Sequence, residues 1–366
     1  MMAIREALDK VDPSIMMYGE GWTSGDAAIE SSLQATKNHT YQMDRVGAFS
    51  DDIRDGIRGN VFNSLDNGFV SGKEGLEERI KFGVVGATEN EQINIFANEG
   101  SANFWSGQPG QSINYASCHD NLTLWDKLMV SNEDASEEDR IKMNKLSSVI
   151  IFTSQGVPFF QAGEEMLRTK PSETAEGGVD ENSYCSPDAT NSLKWDNKGN
   201  VLDVYEYYKG LIAFRKAHGA LRMTTAEEIQ NNLTFIDGLG SNVIAYTIEN
   251  SPNKEIAEEI FVVYNGNKDG VTISLPEGEW EIYINGEKAG CEVLGTVSGT
   301  VEVEGISAMV LTKGTSEYSA ADSNASQTDG KGSGTSASAV GGILLGLGGV
   351  CLAAAGLGYF RKKRKS

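Results

Sequence analysis

Polar residues that could do chemistry follow three apolar stretches of this sequence. The stretches are "SIMMYG", "NYASC" and "VPFFQAG", and the residues after them are Glu20, then His119, Asp120 and Asn121, then Glu164–Glu165. Each stretch is typical of a buried strand, and we read the second as a strand over residues 115–118. In parallel α/β barrels, the working residues lie in the loops at the carboxyl ends of strands. These loops are therefore candidates for one site.

The residue types suit cleavage of a glycosidic bond. A carboxylic acid beside aromatic rings can have its pKa raised by desolvation and act as a general acid, which is the role we expect for Glu20. A second carboxylate beside a histidine, here Asp120, can stabilise the positive charge of an oxocarbenium-like transition state. Aromatic faces for sugar rings are available from Trp22, Trp125 and Tyr184.

Each of these features also has a purely structural explanation. Glu20 could be a loop carboxylate paired with an arginine, and His119–Asp120 could form a capped turn at a strand end. The acids Glu164–Glu165 suit the first turn of a helix, where the helix dipole favours negative charge. The side chains of Trp22 and Trp125 could pack in the core rather than contact a sugar.

The elements that would position these residues fall into two regions. In residues 1–220, strand patterns alternate with helical ones such as "MAIREALDKV", "RIKMNKLSSVIIFTSQG" and "VLDVYEYYKGLIAFRKAHG", the last closed by Gly219. This alternation predicts βα units and a parallel sheet. Residues 221–313 contain short strand patterns separated by turn signals such as Asn-Gly, which predict an all-β sandwich.

The C-terminal region has the composition of a membrane anchor. Residues 314–338 are rich in Ser, Gly, Ala and Thr and predict a flexible stalk. Residues 339–360 carry no charge and are long enough for one transmembrane helix, and residues 361–366, "RKKRKS", predict a cytoplasmic tail. Everything before the span is then expected outside the cell. No signal peptide opens the chain, so we expect a missing front end.

Composition excludes several other classes of function. A formal charge of −21 argues against a nucleic-acid partner, which needs clustered Lys and Arg. Four scattered cysteines without a CxxC pair and only three histidines predict no metal site of the Cys or His type. We expect no disulfide between Cys118 and Cys185.

Five segments identify a family resemblance: "YGEGW", "FSDDIRDGIRGNVF", "YASCHDNLTLWDKL", "GVPFFQAGEEMLRTK" and "ENSYCSPDATNSLKWD". In order and spacing they resemble type I pullulanases, which are starch-debranching members of the α-amylase superfamily of glycoside hydrolases. The resemblance covers nearly all of residues 1–220, and the β-rich region resembles the family's C-terminal domain. It implies an α/β fold: the C-terminal half of a (β/α)₈ TIM barrel, followed by the all-β sandwich. The transmembrane helix predicted from composition comes after both.

The resemblance also implies roles for single residues. Glu20 matches the general acid/base after the fifth barrel strand, and Asp120 matches the transition-state-stabilising aspartate after the seventh. His119 would donate to sugar hydroxyls, and Trp22 would border the cleft. Further substrate-binding roles are implied for Asn121, Asp52, Arg54, Asn182, Tyr184 and Asp188.

One part of the family pattern has no match. The family's nucleophile is an aspartate after the fourth strand, roughly 30 residues before the acid/base. The aspartates that precede Glu20 are Asp9 and Asp12, and neither follows a strand pattern. We therefore expect this chain to carry the acid and the stabiliser without the nucleophile, and to be inactive alone.

The resemblance implies that the complete enzyme hydrolyses α-1,6-glucosidic linkages in pullulan or starch dextrins, with retention. Two alternatives remain: a non-catalytic, surface-tethered glucan-binding protein, and an α-1,4-active amylase relative. The expected partners are α-glucan and, through the C-terminal helix, a membrane. We expect no required cofactor, although calcium is common in the superfamily. The expected location is the surface of a Gram-positive-like bacterium.

Overall fold

The computed structural model of the protein describes residues 1–23 and 28–314. The predicted stalk beyond Gly314, the apolar span 339–360 and the basic tail 361–366 lie outside the described residues. Within the described ranges, no helix combines the length and the apolar character needed to cross a bilayer.

A four-stranded parallel sheet organises the first part of the described chain. Its strands are hydrogen-bonded in chain order: β1 (Met17–Gly19), β2 (Val46–Ser50), β3 (Ser112–Tyr115) and β4 (Val157–Phe159). Gly19 pairs with Ala48, and Tyr115 pairs with Phe159. All four carboxyl ends therefore meet at one edge of the sheet. The predicted parallel arrangement is confirmed.

Two details of these strands differ from the prediction. Strand β3 ends at Tyr115, so Cys118 lies in a loop rather than in the strand. Strand β1 is not buried, since Met17 is half-buried and both Tyr18 and Gly19 are exposed. The reason is position: among the described strands β1 pairs only with β2 and forms the edge of the sheet.

The helices pack against this sheet and against one another. In chain order they are α1 (Met2–Asp9), α2 (Asp51–Arg58), α3 (Glu77–Val84), α4 (Leu124–Ser131), α5 (Glu137–Thr153), α6 (Asp188–Asn191), α7 (Asn197–Asn200), α8 (Leu202–Ala217) and α9 (Ala226–Asn232). The predicted amphipathic α8 is confirmed, because its buried residues recur every three or four positions: Val204, Tyr207, Tyr208, Leu211 and Phe214. It ends before Gly219, since His218 is already extended and Gly219 begins a 3₁₀ turn.

The second part of the chain forms one antiparallel sheet of six strands in the order β5-β6-β7-β10-β8-β9. The strands are β5 (Leu233–Phe235), β6 (Val243–Ile248), β7 (Glu259–Asn265), β8 (Val271–Ile284), β9 (Gly295–Val303) and β10 (Ser307–Lys313). The predicted sandwich of two sheets is therefore a single hydrogen-bonded sheet. Its β8–β9 arm, interrupted between Ser274 and Glu279, packs Ile273 and Val301 into one core cluster with Phe261.

The two parts share a continuous core around α5. The Thr153 hydroxyl lies 2.5 Å from the Tyr264 hydroxyl, and the Thr153 carbonyl accepts a hydrogen bond of 2.9 Å from Tyr246. Side chains of α5, α8 and the strands β6, β7 and β10 belong to the same buried cluster. The described residues thus lie in one compact unit, and a division near residue 220 stays a prediction.

Candidate active site

The loop after β1 turns sharply, and this turn explains the glycine after Glu20. Gly21 has a φ of 77°, in the left-handed region that glycine adopts most readily. A Cβ at this position would lie 3.0 Å from the Cβ of Ala48. The Gly21 carbonyl also accepts a hydrogen bond of 2.8 Å from the Lys37 amide. The turn places Glu20 and Trp22 in the same cavity.

The loop after β3 is held from below by two buried cations. The Lys170 ammonium donates to the carbonyls of His119, at 2.7 Å, and Asn121, at 3.0 Å. The Arg58 guanidinium donates to the Leu122 carbonyl at 2.8 Å. Asn121 has a φ of 61°, which asparagine tolerates better than most residues. The backbone of the loop is therefore fixed while the side chains of His119 and Asp120 remain exposed.

The structure brings three of the predicted site residues together. A carboxylate oxygen of Glu20, a ring nitrogen of His119 and a carboxylate oxygen of Asp120 all lie within 4.8 Å of one another. The His119 Nε2 lies 3.6 Å from the Asp120 Oδ1. No ion pair with the Glu20 side chain occurs among the described residues, so the pairing of Glu20 with an arginine is not observed.

These three groups line a cavity of about 320 Å³ at the carboxyl edge of the parallel sheet. Its aromatic floor includes Phe49, whose ring centroid lies 5.0 Å from that of Tyr115. Two aromatic side chains at the cavity are exposed, Trp22 at 44% and Phe62 at 88%. The remaining lining residues are Asp51, Arg54, Cys118 and Asn121. Such a cavity offers apolar ring faces beside the two exposed carboxylates of Glu20 and Asp120.

Sequence reasoning missed some of this lining. Phe49, Asp51, Phe62, Tyr115 and Cys118 were within the quoted motifs but were not assigned to the site. One feature of the segment "RGNVF" could have indicated a lining residue: Phe62 is a large aromatic residue in a loop directly after a helix. Trp125 is half-buried against the core, as its structural explanation predicts.

Asp52, which the sequence predicts to bind substrate, does not line this cavity. It is 1% exposed, and its carboxylate accepts hydrogen bonds from Lys37 at 3.0 Å, from Ser101 at 2.7 and 2.9 Å, and from Trp105 at 3.1 Å. Burial alone would raise the pKa of Asp52, but the Lys37 charge and these hydrogen bonds outweigh it and lower the pKa. The side chain is thus a saturated core anion, and its neighbour Asp51 lines the cavity.

Arg54 does line the cavity, and its guanidinium is held on two sides. Its Nε donates to Asp55 and its Nη1 donates to the Tyr115 hydroxyl, both at 2.7 Å. Burial alone would lower the pKa of Arg54, yet the Asp55 carboxylate outweighs burial and raises it. Arg54 therefore presents a permanent positive charge beside the aromatic floor.

The predicted residues Asn182, Tyr184 and Asp188 do not line the cavity. Tyr184 lies in a 3₁₀ turn with 84% of its surface exposed, and Asp188 begins α6. A larger cavity of about 670 Å³ is lined by the neighbouring Asp180 and Glu181, but none of its lining residues is aromatic. The smaller cavity is therefore the better candidate for a sugar.

Glu164 is neither a cavity residue nor a simple helix-start acid. It is 5% exposed, and its Oε2 accepts a hydrogen bond of 2.5 Å from the Ser117 hydroxyl. Its Oε1 accepts one of 3.2 Å from the Tyr208 hydroxyl. Burial raises the pKa of Glu164 to about 7, although these two hydrogen bonds act in the opposite direction.

Among the described residues, the acidic group in the cavity does not match the ligand set that calcium prefers. Calcium takes six to eight oxygen ligands, whereas the group Glu20, His119 and Asp120 supplies two exposed carboxylates and an imidazole. No calcium step is needed for the chemistry considered below.

Burial raises the pKa of the half-buried Cys118 thiol. Cys118 and Cys185 are both free, which confirms the expectation of no disulfide between them.

The aspartates before Glu20 are engaged in local structure. Asp9, in α1, pairs with Arg5 at 2.8 Å and with Arg45. Asp12 accepts a hydrogen bond of 2.8 Å from the Ser14 amide. Neither lines the cavity.

Comparison with known proteins identifies relatives of this chain. A family model described as "Pullulanase, all-beta domain" matches residues 229–288, from α9 to just beyond β8. The pullulanase of Bacillus subtilis (strain 168) is 31% identical over 276 residues, which are 75% of this chain and 36% of that protein.

Solved structures that resemble this chain are also pullulanases. The pullulanase from Bacillus acidopullulyticus superposes with a TM-score of 0.77 at 39% identity, covering 85% of this chain and 36% of that one. The pullulanase from Paenibacillus barengoltzii, in complex with maltohexaose and α-cyclodextrin, has a TM-score of 0.75 at 37% identity, covering 85% and 45%. This chain spans less than half the length of each relative. Its homologues are pullulanases, which are glycoside hydrolases, and its antiparallel sheet carries the match to a pullulanase all-β domain.

Proposed function

We propose that this chain supplies the acid/base and the stabilising carboxylate of a site that hydrolyses α-1,6-glucosidic linkages in α-glucans. The observation that carries the proposal is the meeting of Glu20, His119 and Asp120 in one aromatic cavity. The complex of the Paenibacillus barengoltzii pullulanase with maltohexaose supports an α-glucan as the ligand.

The proposed roles follow from charge and position. Glu20 protonates the glycosidic oxygen and later activates water, while the Asp120 carboxylate stabilises the oxocarbenium-like transition state. His119 donates a hydrogen bond to a sugar hydroxyl. Glu20 is exposed here, so the glucan itself, stacked on Trp22 and Phe62, would exclude water from the Glu20 carboxyl group when bound.

We also propose that the chain by itself does not turn over its substrate. A retaining mechanism needs a free carboxylate as nucleophile. Of the described carboxylates that line the cavity, Glu20 and Asp120 have the roles above, and Asp51, the first residue of α2, is ion-paired with Lys37. Asp9 and Asp12 are engaged elsewhere. Binding and turnover are therefore separable properties of this chain.

Two assays test these proposals together. Calorimetric titration with maltohexaose should show binding, whereas cellohexaose, a β-linked control, should give none. A reducing-sugar assay on pullulan should show no turnover. Absence of maltohexaose binding would overturn the site assignment, and clear turnover of pullulan would overturn the proposed inactivity.

The same assays separate the alternatives. Release of reducing sugar from amylose but not from pullulan would favour an α-1,4-active relative. A non-catalytic glucan-binding protein would bind with the same affinity when Glu20 is replaced by Gln and Asp120 by Asn, because its affinity would come from Trp22 and Phe62 alone. The exposure of the Trp22 and Phe62 side chains is the observation that supports this second candidate, a non-catalytic glucan-binding protein.

We further propose that residues 339–360 anchor the protein in a membrane, with the cavity outside the cell. The support is the uncharged run followed by "RKKRKS". Fractionation of cells that express the full chain tests this. Recovery in the membrane fraction is expected, and recovery entirely in the soluble fraction would contradict it.

A further inference from the structure

A buried carboxylic acid lies directly behind the proposed glucan site and has no role in the chemistry described so far. Glu164 follows β4 and hydrogen-bonds to Ser117, two residues before His119 in the loop after β3. Ser117 is fully buried, and its hydroxyl is 2.5 Å from the Glu164 Oε2. This bond joins the end of β4 to the start of the loop that presents His119 and Asp120.

The other oxygen of Glu164 faces away from the site. The Tyr208 hydroxyl of α8 lies 3.2 Å from Glu164 Oε1 and also 3.2 Å from the Asn144 Oδ1 of α5. A hydroxyl has one proton, so Tyr208 can donate to only one of these two acceptors at a time. A proton on Glu164 would provide the missing donor, which agrees with its pKa of about 7.

Charged and titratable groups approach Glu164 from the elements around it. Tyr208 faces it from α8, and Glu165 adjoins it in the same turn. The Arg58 guanidinium of α2 lowers the pKa of Glu164, while the Glu165 carboxylate raises it. Arg58 is itself buried and supports the loop through the Leu122 carbonyl. Glu164 and Arg58 therefore both contact the loop after β3, one near each end.

We propose that Glu164 is a positioning residue of the proposed glucan site, acting through Ser117 on the loop that carries His119 and Asp120. The inference rests on the proposed function of that site. The loop has three supports, at Ser117, at the carbonyls bound by Lys170, and at Leu122. The bond at Ser117 involves a carboxyl group that burial keeps protonated up to about pH 7. Ionisation of Glu164 alters this bond and thereby the placement of the two exposed side chains.

A matched pair of variants separates positioning from general stability. Ser117→Ala removes the hydroxyl on the site side of Glu164, and Tyr208→Phe removes the hydroxyl on the opposite side. Both leave one oxygen of Glu164 without a partner, so both should lower the unfolding temperature. Only Ser117→Ala should shift the amide resonances of His119 and Asp120 and weaken maltohexaose binding, by about fivefold or more. Tyr208→Phe should bind within about twofold of the original protein.

The pH dependence gives a second readout, measured in a His119→Ala background so that the imidazole does not contribute. The amide resonances of Ser117 and Asp120 should show an inflection near pH 7. Glu164→Gln, which keeps hydrogen-bonding groups but cannot ionise, should abolish it. Survival of the inflection in Glu164→Gln, or unchanged resonances of His119 and Asp120 in Ser117→Ala, would overturn the inference. Failure of the original protein to bind maltohexaose would instead overturn the proposed function, because the resonances are measured without glucan.

Discussion

Four acidic side chains near the carboxyl edge of the parallel sheet fall into two environments. Glu20 and Asp120 are exposed in the cavity, and Asp120 has His119 as its neighbour at 3.6 Å. Asp52 and Glu164 are buried beneath it, and each is bound by donors from other elements. Exposed acids are available to a substrate, whereas buried acids bound by several donors hold the loops in place. The same residue type therefore serves two tasks according to its position in the fold.

The largest difference between the two groups should be in stability. Asp52→Ala removes the acceptor for Lys37, Ser101 and Trp105, and we expect it to lower the free energy of unfolding by about 3–5 kcal/mol. Urea unfolding followed by circular dichroism measures this. A loss below about 1 kcal/mol would show that the Asp52 network is not a structural support.

The pH dependence of stability should distinguish the two buried acids. Native Glu164 keeps its proton up to about pH 7, whereas the unfolded chain releases it near 4.5. Its contribution is therefore complete below about pH 4.5 and is lost as the pH rises to 7, by on the order of 3 kcal/mol. Asp52 acts in the opposite sense: its lowered pKa stabilises the fold above the ordinary value of 3.8, and this is lost as the pH falls.

Glu164→Gln is the control for this prediction. Unfolding free energies measured from pH 4.5 to 7.5 should decline less in this variant than in the original protein. Equal declines in the two proteins would mean that Glu164 is not the group that titrates.

For the exposed acids we expect little change in stability and a clear loss of glucan affinity. Glu20→Ala and Asp120→Ala each remove an exposed side chain, so we expect stability to change by no more than about 0.5 kcal/mol. Maltohexaose affinity should fall by about tenfold, or 1.4 kcal/mol, for at least Asp120→Ala. Calorimetric titration and urea unfolding of the same samples give both quantities. If Asp120→Ala lowered stability but left maltohexaose affinity unchanged, Asp120 would be a structural residue and not a residue of the glucan site.

The smallest effect is expected from the aromatic rim. Phe62→Ala removes an exposed ring at the cavity and should weaken maltohexaose binding by about fivefold, since aromatic contacts are worth about 1 kcal/mol. Tyr184→Ala is the matched control, because Tyr184 is as exposed but does not line the cavity. Equal losses in both variants would extend the site to the turn at residues 183–185.

The sequence predicted the parallel sheet and the meeting of its loops well, because strand ends carry a local signal. Glu20, His119 and Asp120 follow such ends, so the parallel arrangement alone brings them to one edge. The orientations of consecutive residues were harder to predict from the sequence. Asp51 and Asp52 both begin α2, and roughly 100° of rotation per residue turns one towards the cavity and the other into the core. Only the orientation of the helix, which depends on long-range packing, decides between them.

Long-range partners also explain the remaining errors. The role of Glu164 depends on Ser117 and Tyr208, each more than 40 positions away in the chain. The predicted two-sheet sandwich failed because β8 pairs with both β9 and β10, which joins the strands into one sheet. Turn signals separate strands in sequence but do not reveal which strands pair.

Two cysteines allow the most direct test of the central claim, that the cavity of Glu20, His119 and Asp120 binds α-glucan. Cys118 lines the cavity, and Cys185 lies in the exposed turn beside Tyr184. Alkylation by iodoacetamide, followed residue by residue with peptide mass spectrometry, should slow at Cys118 when maltohexaose is present and remain unchanged at Cys185. Unchanged alkylation of Cys118 at saturating maltohexaose, or protection of Cys185 alone, would contradict the account.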